Sequence, residues 1–378
     1  MPIPPHRRST VRVTPHAPRR GRARTLRAGG TALVATLTLA LGACGGSGSG
    51  GAEADRPGTT RTSGAGTADR GPARPSAGCG TSTVRAGQER VTIESGGQER
   101  WFLRHVPPAH DGRTPVPLVL DFHGYSEGAE VHTQMSKLGE FGDTEGFVTL
   151  FPQGTGPVPR WDFGLDPGSA DVTFARDLLE LAGRTLCIDE ARVYVTGLSN
   201  GAFFTSILAC VLADRIAAVA PVAGVRAIDG CDPARPVPVV AFHGTADTFV
   251  TFDGSPGTGA SRLPAPDGSG RTLGELGGDR APVLGTPVPE HLRRWAQRNG
   301  CRTEPRERRV ADDVTRVAWP CPDGAEVLLY RIEGGGHSWP GSEFSAGIEG
   351  IVGRTTMSIS ANEVMWEFFQ AHPLRRPR

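Results

Sequence analysis

The sequence predicts an α/β fold in which a mostly parallel sheet carries helices on both faces. Three observations point there. From Val91 onward, short apolar runs alternate with stretches of helical period, the pattern of strands joined by crossover helices. Several runs, such as Pro117-Leu118-Val119-Leu120-Asp121-Phe122, are apolar almost throughout, as strands buried on both faces are. One run leads through a glycine-flanked turn straight into a helix at Gly197-Leu198-Ser199-Asn200-Gly201. The 378 residues suffice for one large domain with accessory segments, and 38% hydrophobic with 21% charged residues suits a globular chain. A net charge of +1 excludes a general electrostatic pull toward nucleic acid or acidic partners.

Residues 1–44 read as an export signal. Arginines from Arg7 to Arg27 precede a small apolar run over 28–41, which is shorter than the ~20 residues of a membrane span. The run ends Leu41-Gly42-Ala43-Cys44, which resembles a bacterial lipobox, so Cys44 is expected to be lipidated and to become the mature N-terminus. Ordinary cleavage nearby is the alternative, and the arginine pairs leave twin-arginine export open. The chain is accordingly expected at the outer face of the cell membrane, or secreted. Residues 45–88, rich in Gly, Ser, Thr and Pro, cannot bury enough apolar surface to offset their ordering entropy and are expected to be a flexible tether. The domain itself is expected over 89–374.

Besides Cys44 the chain holds Cys79, Cys187, Cys210, Cys231, Cys301 and Cys321. An even number in an exported chain points to disulfides, with buried free thiols as the alternative. None lies at zinc-ligand spacing, so neither a metal nor a cofactor is expected. Cys301 and Cys321 bracket one short segment, and Cys210 and Cys231 bracket the strand after the 202–213 helix. The pairs Cys301–Cys321 and Cys210–Cys231 follow, and Cys79 is left with Cys187.

Within the domain, strands are predicted over 101–106, 117–122, 147–151, 192–196, 216–222, 237–242 and 327–332. Phe174, Leu178, Leu181, Ala182 and Leu186 recur at helical spacing, which predicts an amphipathic helix over 171–186. A second helix is predicted over 202–213. Ser360-Ala361-Asn362-Glu363 has the form of a capping box and opens a last helix through Met365 and Phe369. Residues 253–289 are rich in Gly and Pro, show no period, and read as a long excursion or lid.

In a parallel sheet, ligands sit at the carboxyl ends of the strands, and the candidate chemistry lies there. Two GxSxG matches occur, around Ser199 and around Ser126. Ser199 follows a strand and opens a helix, the setting that lifts a hydroxyl above the sheet, whereas Ser126 lies in a polar loop. A serine hydroxyl needs a neighbouring base. His337, after three glycines and just beyond the strand over 327–332, is the candidate. His123 and His243 also end strands and read as loop-shaping; His105, His110, His132, His291 and His372 have no such setting. Asp247, following the strand over 237–242, is the candidate to orient the imidazole, with Asp253 as its rival. The amides of Tyr125 and Asn200 are the candidate oxyanion donors. Trp161 and Trp339 lie in loops flanking the presumed cleft and are the candidate substrate-stacking residues.

The runs His123-Gly124, Gly197-Leu198-Ser199-Asn200-Gly201, Ala220-Pro221-Val222-Ala223-Gly224, His243-Gly244-Thr245-Ala246-Asp247 and Gly336-His337-Ser338-Trp339-Pro340-Gly341 together resemble the polyhydroxybutyrate depolymerase-like esterases, close to the feruloyl and acetylxylan esterases of carbohydrate esterase family 1. The likeness extends in order from Val91 to His372. It implies an α/β-hydrolase fold, a triad of Ser199, Asp247 and His337, and action on short-acyl or aryl esters, including those of polysaccharides and polyester oligomers. The chain departs from the family pattern at Tyr125, often a cysteine, and at the bulky Phe203-Phe204 pair. Two other outcomes stay open at this level: an acyl transferase using the same acyl-enzyme, and a non-catalytic lipoprotein that binds cell-wall or carbohydrate ligands.

Overall fold

Ten strands hydrogen-bond into one sheet in the computed structural model, which describes residues 71–162, 164–277 and 285–375. The strands are β1 (Gly87–Ser95), β2 (Gln98–Val106), β3 (Val116–Phe122), β4 (Val148–Pro152), β5 (Ile188–Leu198), β6 (Ala218–Val222), β7 (Val239–Gly244), β8 (Arg306–Ala311), β9 (Val314–Trp319) and β10 (Val327–Ile332). Their spatial order is β1-β2-β4-β3-β5-β6-β7-β10-β9-β8. The six central strands, β4 to β10 in that order, run parallel, and an antiparallel pair flanks each side. The architecture is the α/β-hydrolase fold that the sequence predicts.

Residue alternation explains the two layers. On β3, Leu118, Leu120 and Phe122 face one core with Phe174, Leu178, Phe204, Ile207 and Trp295. Val119 faces the other core, with Tyr194, Phe147, Trp366 and Phe369. The first layer is supplied by α3 (Ala170–Thr185), α4 (Asn200–Val211) and α5 (Val288–Arg298); the second draws on α2 (Leu138–Glu145) and α8 (Ala361–Ala371). Helix α3 starts where Ser169 Oγ accepts from the Val172 amide, and α8 where Ser360 Oγ accepts from the Glu363 amide. Short helices α1 (Ala129–Ser136), α6 (Glu343–Gly347) and α7 (Glu349–Val352) lie in the connections near the carboxyl ends of β3 and β10.

Several sequence expectations need correction. The tether expected over 45–88 ends sooner: Pro75 bridges Asp189, Ser76 donates its hydroxyl to the Leu186 carbonyl, and β1 already begins at Gly87. Helices α1 and α2 have no clear apolar period and meet at Lys137, whose backbone is left-handed (φ 53°). The hairpin β8–β9 has the exposed, arginine-rich face of an edge pair, which carries no buried-strand signature. The stretch read as an excursion is partly built: a 3₁₀ turn at Ala260–Arg262 precedes a bridge between Pro264 and Thr272, and α5 begins at Val288. Disulfides join Cys79 to Cys187, Cys210 to Cys231 and Cys301 to Cys321, as the bracketing indicates. The expected leader with Cys44 and residues 45–70 lie outside the described residues.

Candidate active site

Chain direction delivers six loops to one end of the sheet. The strand order reverses between β3 and β5, since the chain steps from β3 out to β4 and returns through α3 to β5. That reversal opens a crevice at the carboxyl ends. Ser199 stands on the β5 side of it and the His123-Gly124-Tyr125 arm on the β3 side.

Ser199 joins β5 directly to α4 with φ 55° and ψ −115°. A non-glycine residue held there stores on the order of 1–3 kcal/mol, so the surrounding backbone must impose it. It does so by contact. The Ser199 amide donates to the Val222 carbonyl at 2.9 Å. A Cβ on Gly197 would stand 2.5 Å from the Phe122 carbonyl oxygen, and one on Gly201 only 2.1 Å from the same atom. Both motif glycines therefore serve close approach to the end of β3 rather than an unusual φ.

Asp247 and His337 are brought together by the loops after β7 and β10. These backbones run in contact: a Cβ on Gly244 would stand 2.2 Å from the Gly335 carbonyl oxygen, and the Ala246 amide donates to that same carbonyl. His337 Nδ1 donates to Asp247 Oδ2 at 2.7 Å, which leaves Nε2 as the nitrogen able to take a proton. Asp247 Oδ1 accepts the amides of Phe249 and Val250 at 2.8 and 3.0 Å. Burial favours the neutral acid here, but His337 and His243 outweigh it and hold Asp247 below the ordinary carboxylate range. The Phe249 ring lies 4.9 Å from the imidazole. The rival acid Asp253 is exposed and caps its own turn at Ser255.

The oxyanion candidates differ in origin. Asn200 is the first residue of α4, so its amide has no acceptor within the helix and points where the helix dipole favours negative charge. Its side chain is committed elsewhere: Oδ1 accepts the Trp161 amide at 2.7 Å and Nδ2 donates to the Trp161 carbonyl at 3.0 Å. Tyr125 is half-buried in the turn after β3, and its hydroxyl donates to the Pro264 carbonyl at 2.9 Å. His123 is buried and neutral in role. Its Nε2 accepts the Gly154 amide, Nδ1 donates to the Gly124 carbonyl, and burial pushes its pKa down to about 4.

No family model matches the chain. Among curated proteins it is 29% identical over 252 residues to feruloyl esterase B of Piromyces equi, covering 63% of this chain and 42% of that protein. It is 28% identical over 298 residues to the putative esterase NocK of Nocardia uniformis subsp. tsuyamanensis, covering 72% and 79%. The sequence is thus similar to that of a feruloyl esterase and of a putative esterase. A solved acetyl xylan esterase from Aspergillus awamori has the same fold, with a TM-score of 0.52 at 15% identity over 75% of this chain and 99% of that one. The chain spans less than half the length of the Piromyces protein.

The two tryptophans expected to stack on substrate are placed otherwise. Trp161 is 1% exposed; it stacks on Phe204, and its indole donates to the His123 carbonyl at 3.0 Å. Trp339 is equally buried and donates to Asn362 Oδ1. Both are packing residues that fix the loops on either side of the crevice. The half-exposed aromatic rings at the site belong instead to Tyr125 and Phe249. Phe249 went unnoticed in the sequence although it lies two residues past the candidate acid. His132 has no such setting in the sequence, yet it is fully buried between Asp121 and Glu127 beneath the His123-Gly124-Tyr125 arm.

Proposed function

We propose that the chain is an exported serine esterase that cleaves short-acyl or aryl carboxylic esters through an acyl-enzyme on Ser199. The observation that carries this reading is the buried Asp247–His337 pair, delivered to the same sheet end as a serine held at positive φ between β5 and α4. In this reading Ser199 Oγ attacks the ester carbonyl carbon while His337 Nε2 takes the hydroxyl proton. Asp247 fixes the tautomer and stabilises the imidazolium. The amides of Tyr125 and Asn200 receive the charge that develops on the carbonyl oxygen. Collapse breaks the bond to the alcohol, which leaves with the proton from His337, and water repeats the sequence on the acyl group.

Relatives named for feruloyl and poly(3-hydroxyalkanoate) esters support hydroxycinnamoyl, acetyl and hydroxyalkanoate groups as the substrate class. The half-exposed Tyr125 and Phe249 suit a flat or short acyl group better than a long flexible chain. A panel of p-nitrophenyl acetate, methyl ferulate, 3-hydroxybutyrate oligomers and emulsified triolein tests it. Hydrolysis of the first three at rates well above triolein is expected; a clear preference for triolein would overturn the substrate assignment. The leader and Leu41-Gly42-Ala43-Cys44 support anchoring through a lipidated Cys44. Release of Cys44→Ala from the membrane fraction is expected, and a wild type already free in the medium with another N-terminus would count against the anchor.

A further inference from the structure

Behind the oxyanion arm lies a row of charges that the proposed reaction does not use. His132 on α1 donates Nε2 to Asp121 Oδ1 at 2.7 Å and Nδ1 to Glu127 Oε1 at 2.9 Å. The other oxygen of Glu127, Oε2, accepts the Gly124 amide at 2.6 Å. Side-chain exposure is 0% for Asp121 and His132 and 8% for Glu127. Burial alone disfavours a charged His132, but the two carboxylates outweigh it and raise its pKa to about 10. Burial favours the neutral form of Glu127, but His132 and the Gly124 amide hold it below its ordinary range. Three buried charges are a costly way to fasten a helix to a strand, since well-packed apolar side chains do that at least as well.

The arm itself gives the reason. Of the four amides from 124 to 127, Gly124 donates to Glu127 Oε2, Ser126 donates to the Pro159 carbonyl at 2.9 Å and Glu127 donates to the Gly124 carbonyl at 3.3 Å. Of these four, Tyr125 is the one whose amide has no acceptor among the described residues. We infer that Glu127, locked by the His132–Asp121 pair, is a positioning residue that fixes the His123–Gly124 peptide through the Gly124 amide, so that Tyr125 alone among the amides of the arm is left facing the reacting carbonyl oxygen. Without that bond the His123–Gly124 peptide would rotate and shift the arm that follows it, carrying the Tyr125 amide off line. His132 also meets the Trp339 ring edge-on, with centroids 5.7 Å apart, so the lock touches the loop that bears His337.

The inference rests on the esterase reading, and its test keeps the two apart. Wild type, Ser199→Ala, Glu127→Gln and Glu127→Ala are compared on p-nitrophenyl acetate, with circular dichroism to confirm folding. Glu127→Ala is expected to lower kcat by about 10²–10³-fold, the scale of losing one oxyanion donor, with KM within about twofold of wild type. Glu127→Gln, which keeps an acceptor for the Gly124 amide, is expected to recover part of that loss, and it carries the test if the alanine variant does not fold. A merely structural role would not separate kcat from KM or respond to the amide. An active wild type, an inactive Ser199→Ala and an undiminished kcat in folded Glu127→Ala would overturn the inference alone. So would a Gln variant no better than Ala. An inert wild type would overturn the esterase reading itself.

Discussion

At the scale of single residues, two serines in the same motif have opposite surroundings. Ser199 is forced to φ 55° by the packing of Gly197 and Gly201 against the Phe122 carbonyl. Ser126 also has a positive φ, 62°, but it is exposed in a turn, and its amide rather than its hydroxyl is engaged. Ser199→Ala should therefore lower kcat by about 10⁶-fold and Asp247→Ala by about 10⁴-fold. Ser126→Ala should stay within about tenfold of wild type, because only the backbone of that turn faces the reaction. An organophosphonate that labels wild type and Ser126→Ala but not Ser199→Ala is the expected result. Labelling that persists in Ser199→Ala would displace it as nucleophile. The triad candidates were legible in the sequence because each follows an apolar run that could only be a strand. Glu127 and His132 were not: a buried salt bridge depends on a helix folding back over its own strand, and neither residue has a local signal for that. Trp161 and Trp339 misled for a related reason. A tryptophan in a loop near a site reads as a contact, while the bonds to His123 and Asn362 that bury them join residues 38 and 23 positions away.

At the scale of elements, what was legible divides along burial. Strands β3, β5, β6, β7 and β10 are enclosed on both faces, and their sequences are apolar enough to declare themselves. The edge strand β8 and the short α1 and α2 owe their form to neighbours rather than to their own periods. The disulfides act at this scale as well. Cys79–Cys187 closes a loop with a separation of 108 residues and ties the segment before β1 to the start of β5, whereas Cys301–Cys321 closes one of 20. Loop-closure entropy then assigns roughly 4–5 kcal/mol to the first and about 3 kcal/mol to the second. Replacing each pair by serines and measuring urea midpoints should rank them in that order. An equal or reversed ranking would mean that native packing, not loop length, decides their worth.

At the scale of the molecule, the two ends of the parallel strands are held by different kinds of bond. Cys187 immediately precedes β5, and Cys321 lies beside the Trp319–Val327 pairing that starts β10. Cys210 sits near the far end of α4, about 16 Å along the helix axis from Ser199 at ~1.5 Å per residue. All three bridges thus gather at the amino end of the sheet. The carboxyl end, where the loops of Ser199, Asp247, His337 and Tyr125 meet, is closed by hydrogen bonds and by carbonyl contacts such as Tyr125 to Pro264. This separation predicts an order of maturation during oxidative folding. Covalent closure of one pole can finish while the loops of the other are still being sorted. Resistance to protease and the loss of free thiols should then appear before catalytic competence during oxidative refolding. Newly oxidised molecules would pass through a stage that is durable but not yet able to turn over ester, and the interval between the two events would measure how long the crevice takes to assemble once its foundation is sealed.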